Sequence, residues 1–259
     1  MLNILAQPPL FWEAFFLIFV RMSAVLLTAP IFASRAIPTT VRLILALVLA
    51  LTMLPVVTEG IGALPEDLPT FVAFIAREAF VGVLTGFAVY LIFAGIQAAG
   101  TIIGLQMGFS LANVVNPMTG DHASLIDQFY AIVAALVYLA MDGHHGFLIG
   151  VQRTYELVPL DRASLQMAPV TDLLPMGGAL FVTAVRIALP IMAALLITDV
   201  GLAIIARSVP QMNVFVVGMP IKILIAFVFI GLTLPLVILL VTRLLGNLAP
   251  VISAVVRLL

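Results

Sequence analysis

The sequence predicts an all-α, polytopic membrane helical bundle with kinked helices and re-entrant hairpins. Of 259 residues, 64% are hydrophobic and 9% charged, and the mean hydropathy is +1.29, values foreign to an ordinary soluble protein. The apolar residues gather into about six runs, each near the ~20 residues a helix needs to cross a bilayer. Prolines and glycines interrupt several of these runs, and broken backbone at membrane depth is tolerated only where protein or a watery cavity surrounds it.

The same composition excludes several functions. Eleven Lys and Arg against twelve Asp and Glu leave a net charge of −1 with no basic run, so nucleic-acid binding through a basic patch is excluded. The absence of cysteine removes disulfides, thiol catalysis and iron–sulfur ligation. No Lys or Arg precedes Arg21 and no small-residue cleavage site follows, so the first apolar run is expected to be retained as a membrane helix.

In chain order the runs are Leu10 to Ile31, Val41 to Val57, Phe71 to Gln97, Leu125 to Met141, Leu174 to Ile205 and Val214 to Val241. Thr58 to Thr70 carries Glu59, Glu66 and Asp67 with Gly60, Pro65 and Pro69, and reads as a loop outside the apolar slab. Asp142 to Asp172 reads as a second loop with room for a short surface helix. Pro30, Pro55, Pro190, Pro220 and Pro235 each remove a backbone donor and favour a kink. Loop arginines fall on both parities of a six-span count, so the positive-inside rule sets no orientation.

Between the third and fourth runs lies GTIIGLQMGFSLANVVNPMTG, Gly100 to Gly120. It is expected to form an extra, shorter helix, with Gly100, Gly104 and Gly108 as a smooth ridge for close helix packing. Asn113, Asn116 and Pro117 then break the pattern, which marks a path or a site.

Eight ionisable residues interrupt the apolar runs: Arg21, Arg77, Arg186 and Lys222 against Glu13, Glu78, Asp127 and Asp199. At roughly 2.5 to 3.5 kcal/mol each, exposure of all eight to lipid would cost on the order of 20 kcal/mol. Pairing within a helix offers no shelter, because Glu13 and Arg21 are eight residues apart and Arg186 and Asp199 thirteen. Arg77 and Glu78, as sequence neighbours, are expected to point apart. Arg21, Arg77, Glu78, Arg186 and Asp199 are therefore read as intersubunit charges, sheltered by a bundle of several chains.

Catalysis has no motif: GxxxxGK[ST], GxGxxG, HExxH and GxSxG are all absent. His144 and His145, in MDGHHGF, are expected to diverge, so a turn or interface role is preferred to a metal site, and no cofactor is expected.

Several motifs in order resemble the FliR family of flagellar export proteins, whose injectisome counterpart is SctT. They are Arg21 followed by TAPIFASRAIP (Thr28 to Pro38), GLQMGFS (Gly104 to Ser110), Asn116–Pro117, Gly143–His144 and VPQMNVFVVGMP (Val209 to Pro220). Asp142, where the family pattern has Asn, and the second histidine, His145, depart from it.

The resemblance implies a non-enzymatic channel subunit of a type III export gate in the bacterial inner membrane, within the flagellar basal body and partly on its periplasmic side. FliP and FliQ would complete the channel, FlhB and FlhA would associate with it, and unfolded flagellar proteins would pass through. The whole chain, 1–259, would be one export-gate domain, FliP-like towards the N-terminus and FliQ-like from about residue 174. The loop after GLQMG maps onto a pore plug. With its stem the plug comprises Gln106, Met107, Gly108, Phe109, Ser110, Leu111, Ala112, Asn113, Val114 and Val115. Pro210 and Gln211 map onto a turn near the cytoplasmic entrance, facing FlhB. An injectisome gate subunit and a secondary transporter for a small solute are the alternatives, the latter expected to carry an internal repeat that this chain lacks.

Overall fold

The computed structural model describes residues 9–34, 36–59, 62, 64–65, 67–108, 125–161, 174–211 and 213–256. Among these, the regular structure is entirely helical. The helices are α1 (Pro9–Thr28), α2 (Thr39–Val57), α3 (Leu68–Met107), α4 (Leu125–Ala140), α5 (Gly143–Leu157), α6 (Leu174–Ser208), α7 (Val214–Gly246) and α8 (Leu248–Val256). Five stretches are long and apolar enough to span a membrane: Leu10–Thr28, Thr39–Val57, Leu68–Met107, Gly177–Ser208 and Val216–Gly246. Helices α4 and α5 pass the same test only as a bent pair, a broken span or a re-entrant loop. The chain is an all-α polytopic membrane protein.

One of the sequence expectations changes here. The Gly100 segment is no separate short helix: it is the last part of the 40-residue α3, because nothing between Leu68 and Met107 after Pro69 removes a backbone donor. The second loop holds the short helix it had room for, α5, with His145, Ile149, Arg153 and Glu156 exposed. Gly143, Phe147, Gly150, Val151, Thr154 and Tyr155 bury one face of α5, the stripe expected from 3.6-residue periodicity.

Proline acts as its ring chemistry requires, by position. Pro9 opens α1, where a missing N–H costs nothing, and α1 ends two residues before Pro30 rather than kinking through it. Pro55, Pro190, Pro220 and Pro235 lie inside α2, α6 and α7. Asp67 starts α3: its carboxylate accepts from the Thr70 backbone N–H at 3.0 Å and from the Thr70 hydroxyl. These two bonds hold the exposed Asp67 carboxyl below its ordinary range.

The chain forms two compact units. The first contains α1, α2, α3 through Leu91, α5 and α8. On α1, Ala14, Leu17, Ile18, Met22, Val25 and Leu26 face inward at helical spacing. Helix α3 approaches α1 at Gly82 and Gly86, where side chains would not fit. A Cβ on Gly82 would stand 2.5 Å from the Arg21 carbonyl oxygen, and one on Gly86 would enter Thr28. Gly150 does the same for α5 and α8, since its Cβ would meet Ile252 Cδ1 at 2.7 Å.

The second unit contains α3 from Ile92, α4, α6 and α7. Ile126, Tyr130, Ala134 and Tyr138 form the buried stripe of α4, with Tyr138 set edge-on to Phe93 at 6.0 Å. On α6 the inward face is Ala184, Ile187, Ala188, Ile191 and Leu195. Pro210 and Gln211 lie in the exposed turn between α6 and α7, and Asn213 caps α7 by accepting from the Val216 N–H at 3.3 Å.

Candidate functional site

Two charge clusters emerge from the eight ionisable residues, one in each unit. In the first unit, the fully buried Arg21 of α1 meets the fully buried Glu78 of α3 in a two-pronged pair, Nε to Oε2 at 2.6 Å and Nη2 to Oε1 at 2.9 Å. Arg21 Nη1 also donates to the Thr154 hydroxyl at 3.2 Å, and Nη2 to the Val158 carbonyl at 2.9 Å. The Tyr155 ring lies under the guanidinium at 4.1 Å. Arg77 donates to Glu78 Oε1 at 3.2 Å and to the Pro159 carbonyl.

Here the sequence reading needs correction. Arg77 and Glu78 do not point apart: arginine's long side chain lets its head reach back to the neighbouring carboxylate even though the two Cβ atoms diverge. Arg21, Arg77 and Glu78 find partners within the chain, on another helix and on the carbonyls that follow α5. One carboxylate serves two guanidiniums, and Arg77 Nε and Nη1 stay buried with no partner among the described residues. Thr154, Tyr155 and the Val158 and Pro159 carbonyls were invisible to sequence reasoning, because partners more than 80 residues away leave no local signal.

The second cluster joins the end of α3 to α6 and α7. Lys222 Nζ contacts both Asp199 oxygens, at 2.8 Å to Oδ1 and 3.0 Å to Oδ2, and Gln106 Nε2 donates to Oδ2 at 3.3 Å. Lys222 belonged to the eight charges of the sequence; its pairing with Asp199, 23 residues earlier, is supplied by the α6–α7 hairpin. Asp199 is thus paired inside the chain. Arg186 is exposed on α6, with no ion pair or hydrogen-bond partner among the described residues.

The glycines divide. Gly100 packs against the backbone of Ile126 and Asp127 in α4, a position where any Cβ would collide, and Gly104 is buried. Gly108 is not part of that ridge. It follows the last helical residue with φ 87°, and its N–H bonds the Leu105 carbonyl at 3.0 Å, so it closes α3 in a conformation that side chains disfavour. Met107, the last residue of α3, is fully buried. Phe109, Ser110, Leu111, Ala112, Asn113, Val114 and Val115 lie outside the described residues.

The histidine pair also differs from expectation. His144 and His145 sit in the first turn of α5, where no earlier turn constrains their rotamers, and their rings approach to 4.3 Å instead of diverging. Their ligand atoms and that of Asp142 lie within 4.8 Å of one another. Asp142 itself takes φ 54°, a conformation in which Asn and Asp are the best tolerated residues after glycine.

The family model "Bacterial export proteins, family 1" matches residues 12–248. A relative from Bacillus subtilis (strain 168), "Flagellar biosynthetic protein FliR", is 35% identical over 222 residues, covering 85% of each chain. The chain belongs to the FliR family. Further relatives of the same name come from Pectobacterium carotovorum, 32% identical over 86% of this chain and 85% of the relative, and Escherichia coli (strain K12), 28% identical over 92% and 90%. The match to the family model takes in both charge clusters, from Arg21 through Lys222, as well as GLQMG.

Proposed function

We propose that this chain is a channel subunit of the flagellar type III export gate, assembled with FliP and FliQ and carrying the plug that keeps the pore closed. The family match over residues 12–248 carries the reading, since it makes the chain a family member along nearly its whole length. Its curated relatives share the name "Flagellar biosynthetic protein FliR", which points to the flagellar rather than the injectisome system.

In this reading the N-terminal part is FliP-like and residues from about 174 onward are FliQ-like. Unfolded flagellar subunits cross between them and their neighbours, and FlhB meets the exposed Pro210–Gln211 turn near the cytoplasmic entrance. The gate lies in the inner membrane and partly on its periplasmic side, with FlhA nearby. No chemistry is asked of the chain. Its work is to line a passage and close it.

The end of α3 suits a plug stem. Met107 is fully buried and Gly108 turns the chain out of the helix, so Phe109 to Val115 leave from a fixed point. Gln106 is held to Asp199 by one 3.3 Å hydrogen bond worth on the order of 1 kcal/mol, weak enough to release reversibly. Small and apolar residues in Leu111 to Val115 exclude hydrated ions when seated, yet carry little that would anchor them. Deleting Leu111 to Val115 tests this. Cells are expected to leak small ions while the complex still assembles; an assembled complex with unchanged conductance would sink the plug.

A further inference from the structure

Arg186 is a lone cation in an exposed apolar seam. At about 100° per residue, Ala179, Val182, Leu189, Ala193, Ile197, Val200 and Ile204 lie within roughly 60° of Arg186 on α6. All of them are exposed, Ile197 to 71% and Leu189 to 58%. Their spacing from 179 through 186 to 204 runs 3, 4, 3, 4, 4, 3, 4, the pattern of a helix–helix seam, and covers roughly 38 Å at 1.5 Å per residue. The inward face of α6 is a different one, built from Ala184, Ile187, Ala188, Ile191 and Leu195. The acid on the same helix, Asp199, is thirteen residues away and already holds Lys222.

We propose that this seam receives an apolar membrane helix of a partner chain, and that this helix carries a single aspartate or glutamate opposite Arg186. Charge complementarity selects the occupant. A lipid-facing arginine mid-helix would cost roughly 2.5 to 3.5 kcal/mol, whereas a carboxylate on a packed helix neutralises it and excludes lipid. One polar position in an otherwise apolar seam also fixes register, because sliding the partner by a turn separates the charges by about 5 Å. Arg186 would therefore set the height at which the partner docks. The small side chains Ala179 and Ala193 flank it and let the partner backbone come close.

The inference rests on the subunit reading above, and the test separates the two. The full chain is affinity-purified from membranes of cells that also make the other gate subunits, and the recovered partner chains are measured by mass spectrometry. Arg186→Glu is expected to lower partner recovery tenfold or more, Arg186→Lys to leave it near wild type, and membrane levels of the chain to stay unchanged because Arg186 makes no hydrogen bond or ion pair among the described residues. A photo-crosslinking residue at Ala193 is expected to capture one partner chain, and replacing the acid nearest the crosslink with arginine to restore assembly of Arg186→Glu. Wild-type partner recovery for Arg186→Glu, or adducts with lipid alone, would overturn the inference and leave the subunit reading standing. Wild-type chain that brings down no partner would overturn both.

Discussion

Glu78 should be the most sensitive single position in the first unit. It is fully buried, and its two oxygens accept three guanidinium N–H groups, from Arg21 at 2.6 and 2.9 Å and from Arg77 at 3.2 Å. Glu78→Gln keeps the shape but removes the negative charge that both guanidiniums share and turns an amide NH2 toward a guanidinium. Two buried cations are then left without the carboxylate that bridges them. Removing one partner of a buried pair costs about 3 to 5 kcal/mol, a large share of the 5 to 15 kcal/mol by which folded proteins are stable. The midpoint of heat-induced loss of the monodisperse peak, measured on the detergent-solubilised protein, should fall by on the order of 10 °C. Arg21→Met combined with Glu78→Met should lose less than Glu78→Met alone, because the double change removes one of the stranded cations along with the anion. A Glu78→Gln protein as heat-stable as wild type would refute the reasoning, since the carboxylate would then not be what holds the two arginines.

Three further outcomes are expected. Gly86→Ala drives a Cβ into Thr28 and should cost about 1 to 3 kcal/mol in the same melting assay, whereas Gly146→Ala, with open space around it, should be neutral. The Asp67 cap should depend on pH: because its folded carboxyl titrates below the ordinary value near 3.8, the stabilisation is present above that value and lost as pH falls through the lowered one. Amide exchange in the first turn of α3 should then accelerate relative to an Asp67→Asn control whose protection does not titrate. Asp199→Lys should impair assembly by facing Lys222 with a like charge, and adding Lys222→Asp should restore it; failure of the double swap would mean that Asp199 acts through something other than this pair.

The helices were legible because a membrane chain writes them plainly: runs of about 20 apolar residues admit little else. The boundaries failed where apolarity carried no information. Residues 143–157 are polar enough to read as loop with a short helix, yet six of them bury a face of α5 against groups distant in sequence: Ile252 of α8 at Gly150, Arg21 of α1 at Thr154 and Tyr155, and Phe32 at Phe147. The charges showed the same division. That Arg21 and Glu78 must be sheltered follows from sequence, but that they shelter each other depends on α1 and α3 meeting across Gly82 and Gly86. Gly108 looked like a third ridge glycine by spacing alone, and its positive φ shows a helix stop instead. GLQMG drew attention to the end of α3, while Asp199, to which Gln106 is bonded, lies 93 residues away in sequence.

The central claim is that this chain works only as part of a hetero-oligomeric pore. Native mass spectrometry of the chain purified from membranes of cells co-producing FliP and FliQ tests it most directly. The account predicts one discrete complex in which this chain is bound to copies of both, and little free chain. A homogeneous particle of this chain alone, indifferent to the presence of FliP and FliQ, would contradict it.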